Sequence, residues 1–193
     1  MKKLNLKKEA IINSAIELFS KDGFHNTKVV DISNHAKVGK GTIYEYFKNK
    51  EELYMESIKY VFELYETHLK EAIDEEKSPL EKLKKYLYIS DELTKKYGSI
   101  VFALMKDIRS NGMSMFDTLI EYENKDSQLV MEIFQDGMNE NIFKDICPMI
   151  ATNAFIGSIR FHMSNKYIRP KGHIEENDLE YLFNMLLYGI VNE

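Results

Sequence analysis

Thr27-Lys28-Val29-Val30-Asp31-Ile32-Ser33-Asn34-His35-Ala36, continued by Lys37-Val38-Gly39-Lys40-Gly41-Thr42-Ile43-Tyr44-Glu45-Tyr46-Phe47-Lys48-Asn49-Lys50-Glu51-Glu52-Leu53, is the stretch whose reading decides the fold. Val29, Ile32 and Ala36 recur at helical spacing and define one apolar face. Val38 and Gly39 interrupt the pattern, after which Ile43 and Phe47 predict a second short helix with its own inward face. Two short helices across a tight turn make a helix-turn-helix.

The second helix leaves Lys40, Thr42, Tyr44, Glu45 and Tyr46 outward, with Gly39 and Gly41 near its start. Glycine lets backbone approach a phosphate closely, free N–H groups at a helix start favour an anion, and Lys40 adds charge. A short helix with such a tip fits a DNA major groove. A helical corner that merely packs does not explain so many basic and hydrogen-bonding groups on the outward face.

The run from Gly39 to Leu53, after Asp31-Ile32 and behind an N-terminal helix ending in Asp22-Gly23-Phe24, resembles the DNA-binding domain of TetR-family transcriptional regulators. The resemblance covers roughly residues 7–54; beyond them it rests on helical pattern and length. It implies an all-α homodimer that binds a palindromic double-stranded DNA operator and is released from it by a small-molecule effector. On the matching positions, Thr27 caps the second helix and touches a phosphate, Lys28 and Lys37 add charge, residues Lys40 to Tyr46 enter the groove, and Lys50 holds the DNA backbone. Two positions depart from the family pattern. Lys37 stands where glycine is usual in the turn, and a lysine at positive φ costs roughly 1–2 kcal/mol. Gly39 stands where Ser or Thr is frequent at the helix start, which costs only a few tenths of a kcal/mol. Glu45 is repelled by phosphate but is able to accept from a cytosine amino group, which makes it a candidate specificity residue.

At 193 residues the chain suits one large domain or two small ones sharing a core. The expected division is a helix-turn-helix domain over residues 1–54 and a helical effector-binding and dimerisation domain over 55–193. No apolar run is long enough for a membrane helix or a signal peptide, and the start, Met1 to Lys8, reads as a basic arm or a solvated tail. The single cysteine, Cys147, excludes an intramolecular disulfide and fits a reducing cytoplasm. The five histidines lack metal-ligand spacing, and no cofactor is expected. Net charge is −5, an odd value for a DNA binder, but its distribution is uneven. Residues 1–55 hold ten lysines against seven acidic residues, so the excess of acid lies in the rest of the chain. A basic head on an acidic body orients the head toward DNA.

The first helix is predicted over about Leu6 to Lys21, with Ile12, Ala15, Ile16 and Phe19 inward and Gly23 as its stop. Asn49 with Glu52 opens a long helix to about Glu75, and Ser78-Pro79-Leu80-Glu81 opens another that ends at Tyr97-Gly98. Further pieces are expected from about Ser99 to Ser110, Met115 to Glu123 and Asp126 to Asn139. The last two helices, about 148–167 and 176–191, carry small residues (Ala151, Ala154, Gly157, Ser158) and a wide apolar stripe; from two chains they make a four-helix interface.

The middle of the chain is rich in methionine and aromatic side chains, which line adaptable pockets but at helical spacing are more often core. Tyr86, Phe102, Met105, Phe134, Phe155 and Phe161 are the candidates for an effector site implied by the resemblance. Arg109, Arg160 and His162, at the edges of apolar faces, are candidates to fix an anionic or hydrogen-bonding group, or else to form salt bridges. The ligand implied is apolar or amphipathic. No nucleophile–base–acid set, phosphate loop or metal cluster points to an enzyme. The remaining alternative is a helical ligand-binding or scaffold protein without DNA binding.

Overall fold

The structure is a computed structural model that describes residues 6–111, 116–168 and 177–188. These residues form eight α-helices and one π-helical turn, with no strand among them. Two compact units divide the chain: Met1–Leu64 with Ser99–Thr118, and Tyr65–Gly98 with Leu119–Glu193.

The first unit is built on α1 (Leu6–Asn26), α2 (Val29–His35), α3 (Lys40–Tyr46) and the start of α4 (Lys50–Asp74). Ile12, Ala15, Ile16 and Phe19 of α1 are buried together with Ile32, Ile43 and Phe47, as the helical spacing predicts, and Ile11, Leu53 and Tyr54 join them; Val29 and Ala36 are only half-buried. Gly23 does break the helix, with φ 79° and ψ 165°, a conformation open to a residue without Cβ. The break returns Phe24 to the core, where its ring lies 4.9 Å from that of Tyr54 and 5.9 Å from that of Phe19.

The expected cap of α2 is corrected. Its N-cap is Lys28, without a side-chain cap bond, and Thr27 is buried. The Thr27 hydroxyl instead donates to the carbonyls of Gly23 (2.8 Å) and Leu18 (3.2 Å), so it secures the end of α1 rather than the start of α2. At the other end of α2, Lys37 adopts φ 56°. Its N–H bonds the Asn34 carbonyl (3.2 Å) and that of Val38 bonds the Ser33 carbonyl (3.0 Å), the two bonds of a Schellman motif. The turn therefore keeps the shape that glycine usually supplies, with lysine bearing the left-handed strain. Lys37→Gly is expected to raise the unfolding free energy by about 1 kcal/mol, read by denaturant melts.

Capping explains the next two helix starts. Asn49 Oδ1 accepts from the Glu52 N–H (2.7 Å), and the Glu52 carboxylate accepts from the Lys48 N–H. At α5 (Pro79–Asn111), Ser78 Oγ accepts from the Glu81 N–H (3.2 Å) and the Glu81 carboxylate from the Ser78 N–H (3.3 Å), with Pro79 in the first turn.

Two expected breaks are absent. α5 runs through Gly98: a Cβ there would lie 2.9 Å from Thr94 Cγ2 and 3.8 Å from the Ile168 side chain, so this glycine serves close packing and not a helix stop. α6 (Phe116–Asn139) runs through Asn124-Lys125, whose exposed side chains occupy the outer face while Asp126 turns inward. α7 (Pro148–Met163) passes into the π turn Ser164–Ile168, and α8 spans Asp178–Leu187. The core of this second unit centres on Tyr86, Leu87, Val130, Phe134, Phe143, Phe155 and Ile159, all buried. Lys166 pins the π turn: its ammonium lies 3.0 Å from Asp91 of α5 and 2.9 Å from Asp178 of α8. Burial alone lowers the Lys166 pKa, but these two carboxylates outweigh it and hold the ammonium well above its ordinary value.

Candidate functional site

The outward face of α3 follows from its short apolar face. With Ile43 and Phe47 buried, Lys40, Gly41, Tyr44 and Glu45 are exposed, whereas Thr42 and Tyr46 are half-buried on the flanks. The Lys40 ammonium lies 5.9 Å from the Tyr44 ring, whose side chain is 48% exposed. Lys28, Lys37 and Lys48 are exposed on the same unit. Neither glycine of this region is required by packing: a Cβ on Gly41 would meet nothing within 4 Å, and one on Gly39 only Thr42 Oγ1 at 3.8 Å. Glycine inside a helix is about 1 kcal/mol less favourable than alanine, so Gly41 leaves a bare stretch of backbone on the exposed face at a cost in stability. Lys50 differs from the other lysines. Its ammonium donates to the carbonyls of Phe24 (2.8 Å) and Thr27 (3.1 Å) and sits 4.3 Å from the centre of the Phe24 ring.

In the second unit the candidates for an effector site part company. Tyr86, Phe134 and Phe155 meet in the core, with the Tyr86 and Phe155 rings 5.7 Å apart and those of Phe134 and Phe155 5.8 Å apart. Phe161 is 72% exposed on α7. His162 is engaged by Asp178, 2.6 Å from its Nε2. Phe102 belongs to the first unit and is exposed, while the side chains of Met105 and Arg109 lie outside the described residues.

Beside the buried trio lies a charged cluster in which the residue pattern singled out Arg160 and Tyr86 but not Asp126 or Glu123. The Tyr86 hydroxyl donates to Asp126, 3.0 Å from each oxygen, and Arg160 donates to Asp126 at 2.7 Å and to Glu123 at 3.2 Å. Asp126 is only 6% exposed, and burial pushes its carboxyl above the ordinary value although Arg160 and Tyr86 pull it back. Burial likewise pushes the Tyr65 phenol up to about 12, and the Tyr122 phenol, with its ring 6.0 Å from that of Tyr65, still higher. An open groove of about 580 Å³, lined by Leu69, Tyr122, Asp126 and Leu129 among others, reaches this cluster. The signal available in the sequence was an acidic residue on the apolar stripe of Tyr122, Leu129 and Val130. No group of side chains able to hold a metal ion occurs among the described residues.

α7 and α8 expose an apolar face. On α7, Ile150, Ala154, Gly157 and Phe161 follow one another at four- and three-residue steps and are all exposed; a Cβ on Gly157 would meet nothing. Tyr181 and Met185 continue the pattern on α8 and Tyr188 does so at its C-cap, with Met185 68% exposed. No described helix is long and apolar enough to cross a membrane.

The family "Bacterial regulatory proteins, tetR family" matches residues 11–56. The HTH-type transcriptional regulator RutR of Escherichia coli (strain K12) is 33% identical over 94 residues, which are 49% of this chain and 44% of RutR. The match thus spans less than half the length of that curated relative. Two solved structures share the fold along nearly the whole chain. The fatty acid degradation regulator FadR from Bacillus halodurans superposes with a TM-score of 0.77 at 19% identity, covering 96% of this chain and 97% of its own. FadR from Bacillus subtilis in complex with stearoyl-CoA gives 0.75 at 22% identity, covering 94% and 98%.

Proposed function

The chain belongs to the TetR family of bacterial regulatory proteins, and on that premise we propose that it is a DNA-binding transcriptional repressor, acting in the cytoplasm as a homodimer released from its operator by a small amphipathic ligand. The observation that carries the reading is the outward face of α3, where Lys40, Gly41, Tyr44 and Glu45 stand exposed and no packing contact accounts for Gly41. Residues 1–54 carry the DNA-binding part and residues 55–193 the effector-binding and dimerisation part. The lysines of the first unit supply the phosphate contacts that fix the protein on DNA, and the α3 side chains read base edges. Binding of a duplex by the purified protein is expected to fall steeply and linearly on a plot of log affinity against log salt, since each lysine–phosphate contact displaces counterions. A protein that merely scaffolds or stores a ligand shows no such binding.

The second copy of the chain covers the exposed apolar face of α7 and α8. Spacing of four and three residues, with Ala154 and Gly157 at the centre, suits the close approach of a partner helix in a four-helix interface. Phe161→Glu places a charge in that face and is expected to shift the protein from dimer to monomer in size-exclusion chromatography with light scattering. A wild-type monomer at micromolar concentration sinks this part of the reading.

The effector is an amphipathic molecule of the fatty acyl thioester kind. The stearoyl-CoA held by the structurally similar Bacillus subtilis FadR supports that class, as does a core that sets the apolar Phe134 and Phe155 beside the polar Tyr86, Asp126 and Arg160. Such a ligand lowers operator affinity by binding preferentially to the form of the dimer that fits DNA poorly. A thermal-shift series of acyl thioesters of rising chain length is the test; no rise in Tm with any of them argues against this class.

A further inference from the structure

We propose that Lys50 is a positioning residue, the brace that closes the two ends of the helix-turn-helix, rather than a contact to the phosphate backbone. The proposal rests on the DNA-binding reading above. Lys50 opens α4, three residues after Phe47 closes α3. The two carbonyls that take its ammonium belong to the segment just ahead of α2, and Thr27 lies 23 residues before it in the chain. One side chain therefore ties the residues that enter α2 to the residues that leave α3.

The socket is built for a cation. Phe24 offers its carbonyl and its ring face, and that ring is itself held between Phe19 and Tyr54. Thr27 is 3% exposed, and its hydroxyl and its N–H both donate to the Gly23 carbonyl, which fixes the residue whose own carbonyl accepts from Lys50. An ammonium has three donors; two are spent on these carbonyls, and the ring attracts the remaining charge. To bind a phosphate, Lys50 would have to give up its bonds to both carbonyls. Lys28, Lys37, Lys40 and Lys48, all exposed, face no such competition.

The brace matters because α2 and α3 are each seven residues long, below the length at which an isolated helix is stable. Their orientation is imposed from outside, by Ile32, Ile43 and Phe47 in the core and by Lys50 at the open end of the motif. A loosened brace misdirects α3 but removes no charge contact from the DNA interface. Specific binding then suffers and the electrostatic component does not.

Lys50→Met, which keeps the apolar stem and removes every donor, separates the two roles. The probes are the duplex that the wild-type protein enriches from a randomised pool and a duplex of arbitrary sequence. Affinity for the enriched duplex is expected to fall about tenfold or more, with the slope of log affinity against log salt unchanged and affinity for the arbitrary duplex nearly so; Lys40→Met lowers that slope by about 0.9 per lost contact. In the free protein, amide hydrogen exchange is expected to quicken several-fold over residues 28–46 relative to α1. Lys50→Gln, which keeps an amide donor, gives a smaller change of the same kind should the methionine variant fail to fold. A slope lowered by about 0.9 per lost contact, or about 1.8 for a dimer, with exchange unchanged identifies a phosphate contact and overturns the proposal, as does a variant with unaltered affinity and exchange. If the wild type enriches no duplex, the DNA-binding reading fails, and exchange alone decides: faster exchange confined to residues 28–46 upholds the brace, unchanged exchange removes it.

Discussion

Replacing Arg160 by methionine lowers the unfolding free energy by about 2–3 kcal/mol, because it takes the guanidinium away from the buried carboxylate of Asp126 and leaves the neutral Tyr86 hydroxyl to donate to it. Removing one member of a fully buried ion pair typically costs about 3–5 kcal/mol; here Arg160 is 41% exposed, and water enters part of the vacated space. The double variant Arg160→Met with Asp126→Asn recovers most of the loss, since an amide accepts from Tyr86 without a charge to bury. The effect also depends on pH with a defined sign. Burial raises the Asp126 pKa above its ordinary 3.8, so the folded protein binds a proton more readily than the unfolded chain, and this group favours folding more as pH falls through the window above 3.8. Without Arg160 that window extends to higher pH, and the deficit of the variant shrinks on mild acidification. Chemical denaturation at neutral and mildly acidic pH measures both terms; an equal deficit at the two pH values contradicts the account.

Lys40→Ala and Tyr44→Ala each weaken binding to the enriched duplex with the fold intact. A phosphate or base-edge contact is worth about 1–3 kcal/mol, and a homodimer loses it in both half-sites, so the expected loss is about thirtyfold or more. The two differ in kind: Lys40→Ala reduces the salt slope, while Tyr44→Ala leaves the slope and lowers discrimination between sequences. Both side chains are exposed, so circular dichroism and Tm stay close to wild type. Retained affinity in both variants removes α3 from the DNA interface.

The first unit was readable from its residues because its signals are local. Ile32, Ile43 and Phe47 sit at helical spacing, and the capping pair Asn49–Glu52 acts across three positions of the chain, as Ser78–Glu81 does in the second unit. Even the conformation of Lys37 follows from its place two residues after α2. Thr27 departs from the capping role that the resemblance implies, because its hydroxyl serves carbonyls four and nine residues back. In the second unit the deciding interactions are distant in sequence. Arg160 and His162 are visible as polar groups on apolar faces, but their partners lie 34 and 16 residues away. The expected division between Glu123 and Asp126 is absent because Asn124 and Lys125 are the solvent side of a continuous α6. Gly98 carries the same lesson: a glycine late in a helical run signals a stop by composition, and only the side chains of Thr94 and Ile168 show why it is there.

Sequencing of the DNA retained by the purified protein from sheared genomic DNA of its source tests the central claim most directly. The account predicts a single enriched palindrome, its half-sites centred about one helical turn or roughly 34–36 Å apart, lost when Lys40 and Tyr44 are replaced together. Retention of no DNA at low salt, or of all sequences alike, contradicts it and leaves a helical ligand-binding protein whose lysine-rich head has another purpose.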